Sequence, residues 1–156
     1  MYAKLVRGFV INKTNPKIEK STYHQFQASR KSRTLFPNLR EIYCHGRRKE
    51  VCLLLSPSLH RVVILEDRDQ DRDEDLSSSS PEIFTFINAL PKFCPDVQSL
   101  EAYVDLPNSA LHSVQKFQKL QFLGLGFVDD DSRNIECMAG ISLLPNLRLL
   151  KLSRFG

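Results

Sequence analysis

The pattern P-x-L-x-x-L-x-L recurs along this chain and constrains its fold more than any other feature. Its copies are PNLREIYC (37–44), PSLHRVVI (57–64), PDVQSLEA (95–102), QKLQFLGL (118–125) and PNLRLLKL (145–152). All fifteen leucine-type positions hold apolar residues, although only 42% of the chain is apolar. In one fixed register, chance would produce this roughly twice in a million trials. The chain therefore contains a repeated structural unit, and we call its fifteen leucine-type positions the anchors.

Each copy predicts a strand that follows the end of a helix. Proline opens four of the five copies, and proline neither continues a helix nor favours helical geometry in the residue before it. The clearest helix between copies is PEIFTFINALPKF (81–93), with Ser80 as its cap, Pro81 in its first turn and Pro91 ending or kinking its last turn. Its apolar residues fall on one face; they are Ile83, Phe86, Ile87, Leu90 and Phe93.

Weaker patterns predict the remaining elements. The run VCLLL (51–55) predicts a short helical turn, and AKLVRGFVI (3–11) predicts a strand in the same frame as the repeats. Residues 12–33 are polar, and we expect a loop with one helix around Tyr23–Ser29. Two more helices are indicated by apolar residues at helical spacing; these are Leu111, Val114 and Phe117 for one and Ile135, Met138, Ile141 and Leu144 for the other.

Alternation of strand and helix at anchor spacings of 20, 38, 23 and 27 residues is the signature of a leucine-rich-repeat solenoid. We therefore predict an α/β fold with a curved parallel sheet on one face, helices on the other and about five to six irregular repeats. Residues 1–156 are expected to form a single domain. The 38-residue step holds segment 66–80, whose acidic run and four serines predict an exposed loop.

Composition and cysteine spacing exclude several classes of protein. No apolar run approaches the roughly 18 residues that a membrane span needs, and no signal-peptide core follows Met1, so we expect an intracellular location, cytoplasmic or nuclear. The four cysteines form no CxxC pair and complete no zinc spacing with the four histidines. We predict no metal and no cofactor.

Charge is unevenly distributed. Residues 1–50 hold twelve lysines and arginines against three acidic residues, which leaves RNA or DNA binding open as an alternative. The basic residues lack an aromatic-rich pattern, so a solvated surface is the preferred interpretation. Nucleic-acid binding would instead show a steep loss of affinity with salt.

Motifs that suggest chemistry are weak. LGLGF (123–127) contains GxG and resembles the carboxylate-binding loop of PDZ domains, but Leu125 is already an anchor, so Gly124 and Gly126 are assigned a structural role. The run Asp129–Asp131 suggests a cation site, but no EF-hand spacing follows, and a solvated or helix-capping role for it is preferred. No set of Ser, His and Asp or of Cys and His can be assembled, and we predict that the protein is not an enzyme.

An ordered series of segments resembles the C-terminal repeat region of fungal F-box/leucine-rich-repeat proteins. The segments are YAKLVR, LFPNLREI, LLLSPSLHRVVI, FCPDVQSLEAYV, FQKLQFLGL and LLPNLRLLKL. The resemblance implies the target-recognition part of an SCF-type ubiquitin ligase, in which repeats hold the target and an F-box binds the ligase adaptor. No F-box precedes the repeats here, so we expect a fragment or a truncated paralogue, with adaptor binding only if an F-box precedes Met1. The alternative is a stand-alone leucine-rich-repeat scaffold without a ligase role.

The predicted partner-binding residues alternate with the anchors. Because anchors point into the core, the residues between them point outward along the concave face of the sheet. Large apolar residues among charged ones are typical of protein-binding patches. We predict a protein target at Glu41, Tyr43, Arg61, Val63, Ser99, Glu101, Tyr103, Phe122, Leu149 and Lys151. Coverage of these residues by further repeats or by a second copy remains the alternative.

Overall fold

In the part of the chain that the structure describes, six parallel strands form one sheet and stand in the order in which they occur in the sequence. The computed structural model describes residues 5–11, 34–45, 49–65, 81–104, 106, 108–127 and 139–154. The strands are β1 (Gly8–Ile11), β2 (Glu41–His45), β3 (Arg61–Leu65), β4 (Ser99–Tyr103), β5 (Phe122–Phe127) and β6 (Leu149–Arg154). A 3₁₀ helix spans Lys49–Leu54, and two α-helices, α1 (Pro81–Phe93) and α2 (Asn108–Val114), lie between later strands. The predicted α/β class is confirmed.

The anchors determine the register of the sheet. In every strand pair from β2 to β6, the middle anchor of one copy lies beside the middle anchor of the next copy. The last anchor of each copy likewise lies beside the last anchor of the next. Strand β1 joins the series with Phe9 beside Ile42 and Ile11 beside Cys44, as AKLVRGFVI predicts. Equivalent positions therefore stack in rows across all six strands.

A repeated backbone contact joins each strand to the next. The carbonyl oxygen of the residue before one strand accepts hydrogen bonds from two consecutive N–H groups at the start of the following strand. Arg7 O, for example, accepts from Arg40 N and Glu41 N at 2.7 and 3.0 Å. The same geometry recurs at the carbonyl oxygens of Arg40, His60, Gln98 and Gln121. These contacts satisfy buried backbone groups and oppose slippage of the register.

The core lies where the inner face of the sheet meets the helices. Ile42, Val62, Leu100 and Leu123 are fully buried in successive strands, and Phe86 of α1 belongs to the same cluster. The two helices also share one polar contact, in which Ser113 Oγ donates to Asn88 Oδ1 at 2.7 Å. The Ser113 side chain is buried, and this hydrogen bond gives its hydroxyl a partner, which matters because an unpaired buried hydroxyl is costly.

Helix α1 begins at Pro81 as predicted, but its C-terminal end differs in one respect. Pro91 lies in the last turn, and the helix continues to Phe93. Phe93 is 49% exposed, so its predicted place on the buried face is wrong. The chain turns directly after it, and Cys94, whose N–H donates to Leu90 O at 2.7 Å, is fully buried instead.

The shorter predicted elements are partly described. The 3₁₀ helix lies over VCLLL, and α2 contains Leu111 and Val114, while Phe117 is buried beyond its end. Residues 139–141 are helical. Other predictions fall outside the described residues; these concern the helix around Tyr23–Ser29, the loop 66–80, the cap Ser80, the run Asp129–Asp131, and Ile135 and Met138. Within the described ranges, no helix has the length and apolar character needed to cross a membrane.

In four of the copies, the residue after the repeat proline, or after its replacement Gln118, forms polar contacts between neighbouring repeats. Ser58 Oγ lies 2.7 Å from Pro37 O and 2.9 Å from Leu39 O. Asn146 Nδ2 donates to Gln118 O at 2.6 Å. The third contact of this kind is an ion pair, with Lys119 Nζ 2.6 Å from Asp96 Oδ1. These contacts align consecutive turns outside the apolar core.

The Lys119–Asp96 pair predicts a pH-dependent contribution to stability. Its hydrogen bond, helped by the charge of Lys119, holds the pKa of Asp96 below the ordinary value of 3.8. A carboxyl with a lowered folded pKa stabilises the folded state above its unfolded pKa, and this contribution disappears as the pH falls through the folded value. The stability difference between wild type and Asp96→Asn should therefore be larger at about pH 6 than at about pH 3 in urea unfolding. On a Lys119→Met background, the stability difference caused by Asp96→Asn should lose this pH dependence. An equal pH dependence with and without Lys119 would mean that the ion pair is not its cause.

Candidate protein-binding face

The residues between the anchors form two rows on the face of the sheet opposite the core, which we call the sheet face. The first row crosses β2 to β6 as Glu41, Arg61, Ser99, Phe122 and Leu149. The second row crosses the same strands as Tyr43, Val63, Glu101, Gly124 and Lys151. Tyr103 follows Glu101 by two residues on β4 and points to the same face. The fold thus brings all ten predicted binding residues onto one surface.

An ion pair connects the two rows at the centre of the sheet face. Arg61 Nη2 lies 2.9 Å from Glu101 Oε1, and the two side chains are 44% and 15% exposed. This hydrogen bond raises the pKa of Arg61 further above its ordinary value, so the guanidinium stays charged at every physiological pH. The guanidinium carbon also lies 5.4 Å from the centre of the Tyr43 ring, at cation–π distance. Arg61 is therefore held from two sides.

Two tyrosines are oriented by the glutamates that precede them on their own strands. Tyr43 Oη donates to Glu41 Oε2 at 3.3 Å, and Tyr103 Oη donates to Glu101 Oε2 at 3.2 Å. Side chains two residues apart on a strand share one face, which makes this contact possible. Glu101 consequently binds Arg61 through one carboxylate oxygen and Tyr103 through the other, and it is the residue that joins the network.

Gly124 provides the space that Tyr103 occupies. A methyl group added at Gly124 would lie 3.1 Å from Tyr103 Oη and 3.3 Å from Glu101 Cγ, which is closer than ordinary packing allows. On the far side, Lys151 Nζ is 5.3 Å from the centre of the Tyr103 ring. A side chain here would require Tyr103 and Glu101 to shift by a few tenths of an ångström, so glycine suits the close approach of Tyr103 at this position.

Two members of the second row differ in what they expose. Lys151 is exposed, whereas Val63 is only 5% exposed, so it presents almost no surface to a partner. Val63 lies on a central strand between Tyr43 and Glu101, and both of these side chains are longer. We therefore expect Val63 to pack beneath its neighbours and not to contact a partner directly.

Among the predicted binding residues, the exposed apolar surface lies at the β6 end of the sheet face. Phe122 and Leu149 are neighbours in register; Phe122 is partly buried, and Leu149 is 57% exposed. Ser99 continues this row toward Arg61 with a small polar side chain. The sheet face therefore joins an apolar end to a central network of charged and aromatic groups, the mixture found in protein-binding patches.

Within the described ranges, no group of three or more His, Cys, Asp and Glu side chains is placed to hold a metal ion. The polar groups at the centre bind one another, which orients the tyrosine rings within the folded chain. A surface ordered in this way loses little side-chain entropy on binding.

Alternation in the sequence predicted which residues share the sheet face, but it did not predict the contacts between them. The Tyr–Glu pairs carry a local signal, because Glu41 and Tyr43, like Glu101 and Tyr103, are two residues apart. The Arg61–Glu101 pair spans forty residues of sequence and became visible only when the register of β3 and β4 was known. Comparison of the chain with protein-family models, curated proteins and solved structures gives no significant match.

Proposed function

We propose that this chain is a protein-interaction module of the leucine-rich-repeat type, which holds a protein target on its sheet face as the target-recognition part of an SCF-type ubiquitin ligase. The repeat assignment is supported by six parallel strands in chain order with their anchors in register. The ligase role depends on the resemblance to fungal F-box/leucine-rich-repeat proteins. In that role an F-box segment, and not the sheet face, would bind the adaptor.

The observation that carries the binding proposal is the ordered network on the sheet face. Aromatic rings give large contact area for little loss of rotamer freedom, and tyrosine and arginine are frequent at the energetic centres of interfaces. Tyr43, Arg61 and Tyr103 are all held by the carboxylates of Glu41 and Glu101. Their contacts fix the geometry that a target meets, and the exposed charges favour one orientation of it.

Charge on the sheet face favours a protein target over a nucleic acid. The two rows hold two acidic residues, Glu41 and Glu101, and two basic residues, Arg61 and Lys151. Phosphate binding depends on an excess of basic groups, and here the central arginine is already paired with a carboxylate. Complementary contact with a mixed protein surface fits this pattern better.

We expect Tyr103→Ala to weaken target binding by about 10- to 30-fold, as loss of a buried aromatic anchor does at protein interfaces. Candidate targets would come from a two-hybrid screen with the whole chain, and each would then be titrated by calorimetry with purified protein. Phe93→Ala is the matched control, because it also removes a partly exposed aromatic ring but lies on α1, away from the sheet face. Equal affinity of wild type and Tyr103→Ala would contradict the binding proposal.

The lifetime of the target separates ligase recruitment from a stand-alone scaffold. If the chain recruits its target for degradation, replacing wild type by Tyr103→Ala in cells should lengthen the half-life of the target measured by a translation chase. If binding is lost while the half-life stays the same, the scaffold function is correct and the ligase role is wrong.

A further inference from the structure

Exposed apolar side chains are concentrated at the two ends of the sheet. Six large apolar residues in the described part of the chain are strongly exposed, and Phe93 is one of them. Four of the others lie in or just before the two edge strands, and Leu143 lies in the turn after helical residues 139–141; the four are Leu5 and Val10 at β1, and Leu149 and Leu152 in β6. Leu152 is an anchor, yet it is 48% exposed. The anchors of the inner strands are fully covered because each has a strand on both sides.

The backbone at both edges is directed toward a further strand. In a parallel pair, the N–H and C=O of one residue point to the same neighbour, and the next residue points the other way. Leu149 N donates to Gln121 O of the preceding repeat, so the backbone groups of Leu150 and Leu152 point away from β5. By the same pattern Glu41 N donates to Arg7 O, and the groups of Gly8 and Val10 point away from β2. Edges of this kind are templates for strand addition.

We propose that β6 of one copy pairs in parallel with β1 of a second copy, so that copies of this chain assemble head to tail. The pairing continues the register of the five existing pairs. Phe9 of the second copy would lie beside Leu150, and Ile11 of the second copy beside Leu152. Arg148 O would accept from the start of the second β1, as Arg7 O accepts from the start of β2. This inference uses the edges of the sheet and does not depend on the proposed function of the sheet face.

The match between the two edge strands favours a second copy of this chain as the pairing partner. The apolar residues Val6, Phe9 and Ile11, in and just before β1, would lie beside Leu147, Leu150 and Leu152, in and just before β6, position by position. All five strand pairs within the sheet are parallel, and the proposed sixth repeats their geometry. Because the two contacting surfaces differ, each added copy presents one β1 and one β6 edge, and assembly continues beyond a dimer until a ring closes or a filament forms.

Two variants block the two edges separately. Val10→Pro removes an N–H group that points away from β2, at an edge position where proline is tolerated in strands. Leu152→Lys places a charge at the β6 edge, a common way for proteins to prevent strand addition. Sedimentation velocity should show wild type growing beyond a dimer with concentration, whereas each variant alone stays monomeric. Circular dichroism checks that both variants keep their helix and sheet content.

Mixing the two variants gives the decisive result. Val10→Pro retains an open β6 edge and Leu152→Lys retains an open β1 edge, so an equimolar mixture should form a heterodimer that cannot extend. The double variant should stay monomeric, and Phe93→Lys, which replaces an exposed apolar residue away from both edges, should assemble like wild type. Dimers of Val10→Pro alone would indicate two-fold pairing of β6 and overturn the head-to-tail arrangement. A monomeric mixture, or monomeric wild type, would overturn it as well.

Discussion

Replacing Leu100 with alanine should lower the free energy of unfolding by about 2 to 5 kcal/mol. Leu100 is the middle anchor of β4, fully buried, with Val62 on one side and Leu123 on the other. Removing its side-chain carbons leaves a cavity that these neighbours cannot fill, because their own positions are set by the backbone contacts between repeats. Urea unfolding followed by circular dichroism measures the loss.

Leu149→Ala is the matched control for this prediction. It makes the same chemical change on a strand of the same sheet, but Leu149 is 57% exposed and lies between anchors. We expect its effect to stay below about 1 kcal/mol. A similar loss for both substitutions would mean that the anchors do not form the core that stabilises the sheet.

Phe86→Ala should cost about 3 to 5 kcal/mol, the range for a fully buried aromatic residue. Phe86 is the largest buried side chain of α1, and it attaches this helix to the apolar core. Because small domains have only about 5 to 15 kcal/mol of stability in total, this single change should bring the protein close to unfolding. Thermal unfolding would show a strongly lowered midpoint.

Phe93→Ala, on the same helix and with the same change, should have a much smaller effect because its ring is 49% exposed. The comparison tests whether the packing of α1 on the core depends on its middle turns or on its whole length. A loss for Phe93→Ala as large as that for Phe86→Ala would contradict the described packing of the helix end.

The strands could be predicted because two independent signals coincide. Apolar anchors at offsets of three and five residues identify the inward positions, and a proline before most copies identifies where each strand begins. Even the strand at 8–11 followed from the same frame, although no proline precedes it. Spacing between the copies implied that neighbouring strands are parallel, since a helix or turn must return the chain each time.

The ends of elements were less predictable. Periodicity placed Phe93 on the buried face of α1, but the turn at Cys94 takes that position, and periodicity alone does not say where a helix loses its packing partner. Val63 gives a second example. Alternation correctly placed it on the sheet face, whereas its burial arises in the assembled sheet, with Tyr43 and Glu101 beside it on the neighbouring strands, which a single strand pattern does not contain.

The central claim is that the sheet face binds a protein target, and site-specific photocrosslinking tests it most directly. A benzophenone amino acid would be incorporated at Leu149 on the sheet face or at Phe93 on α1; both positions are large, apolar and about half exposed. Irradiation in cells, followed by mass spectrometry, should give a discrete crosslinked protein other than this chain from position 149 and not from position 93. The same crosslinked proteins from both positions, or none from position 149, would contradict a target-binding sheet face.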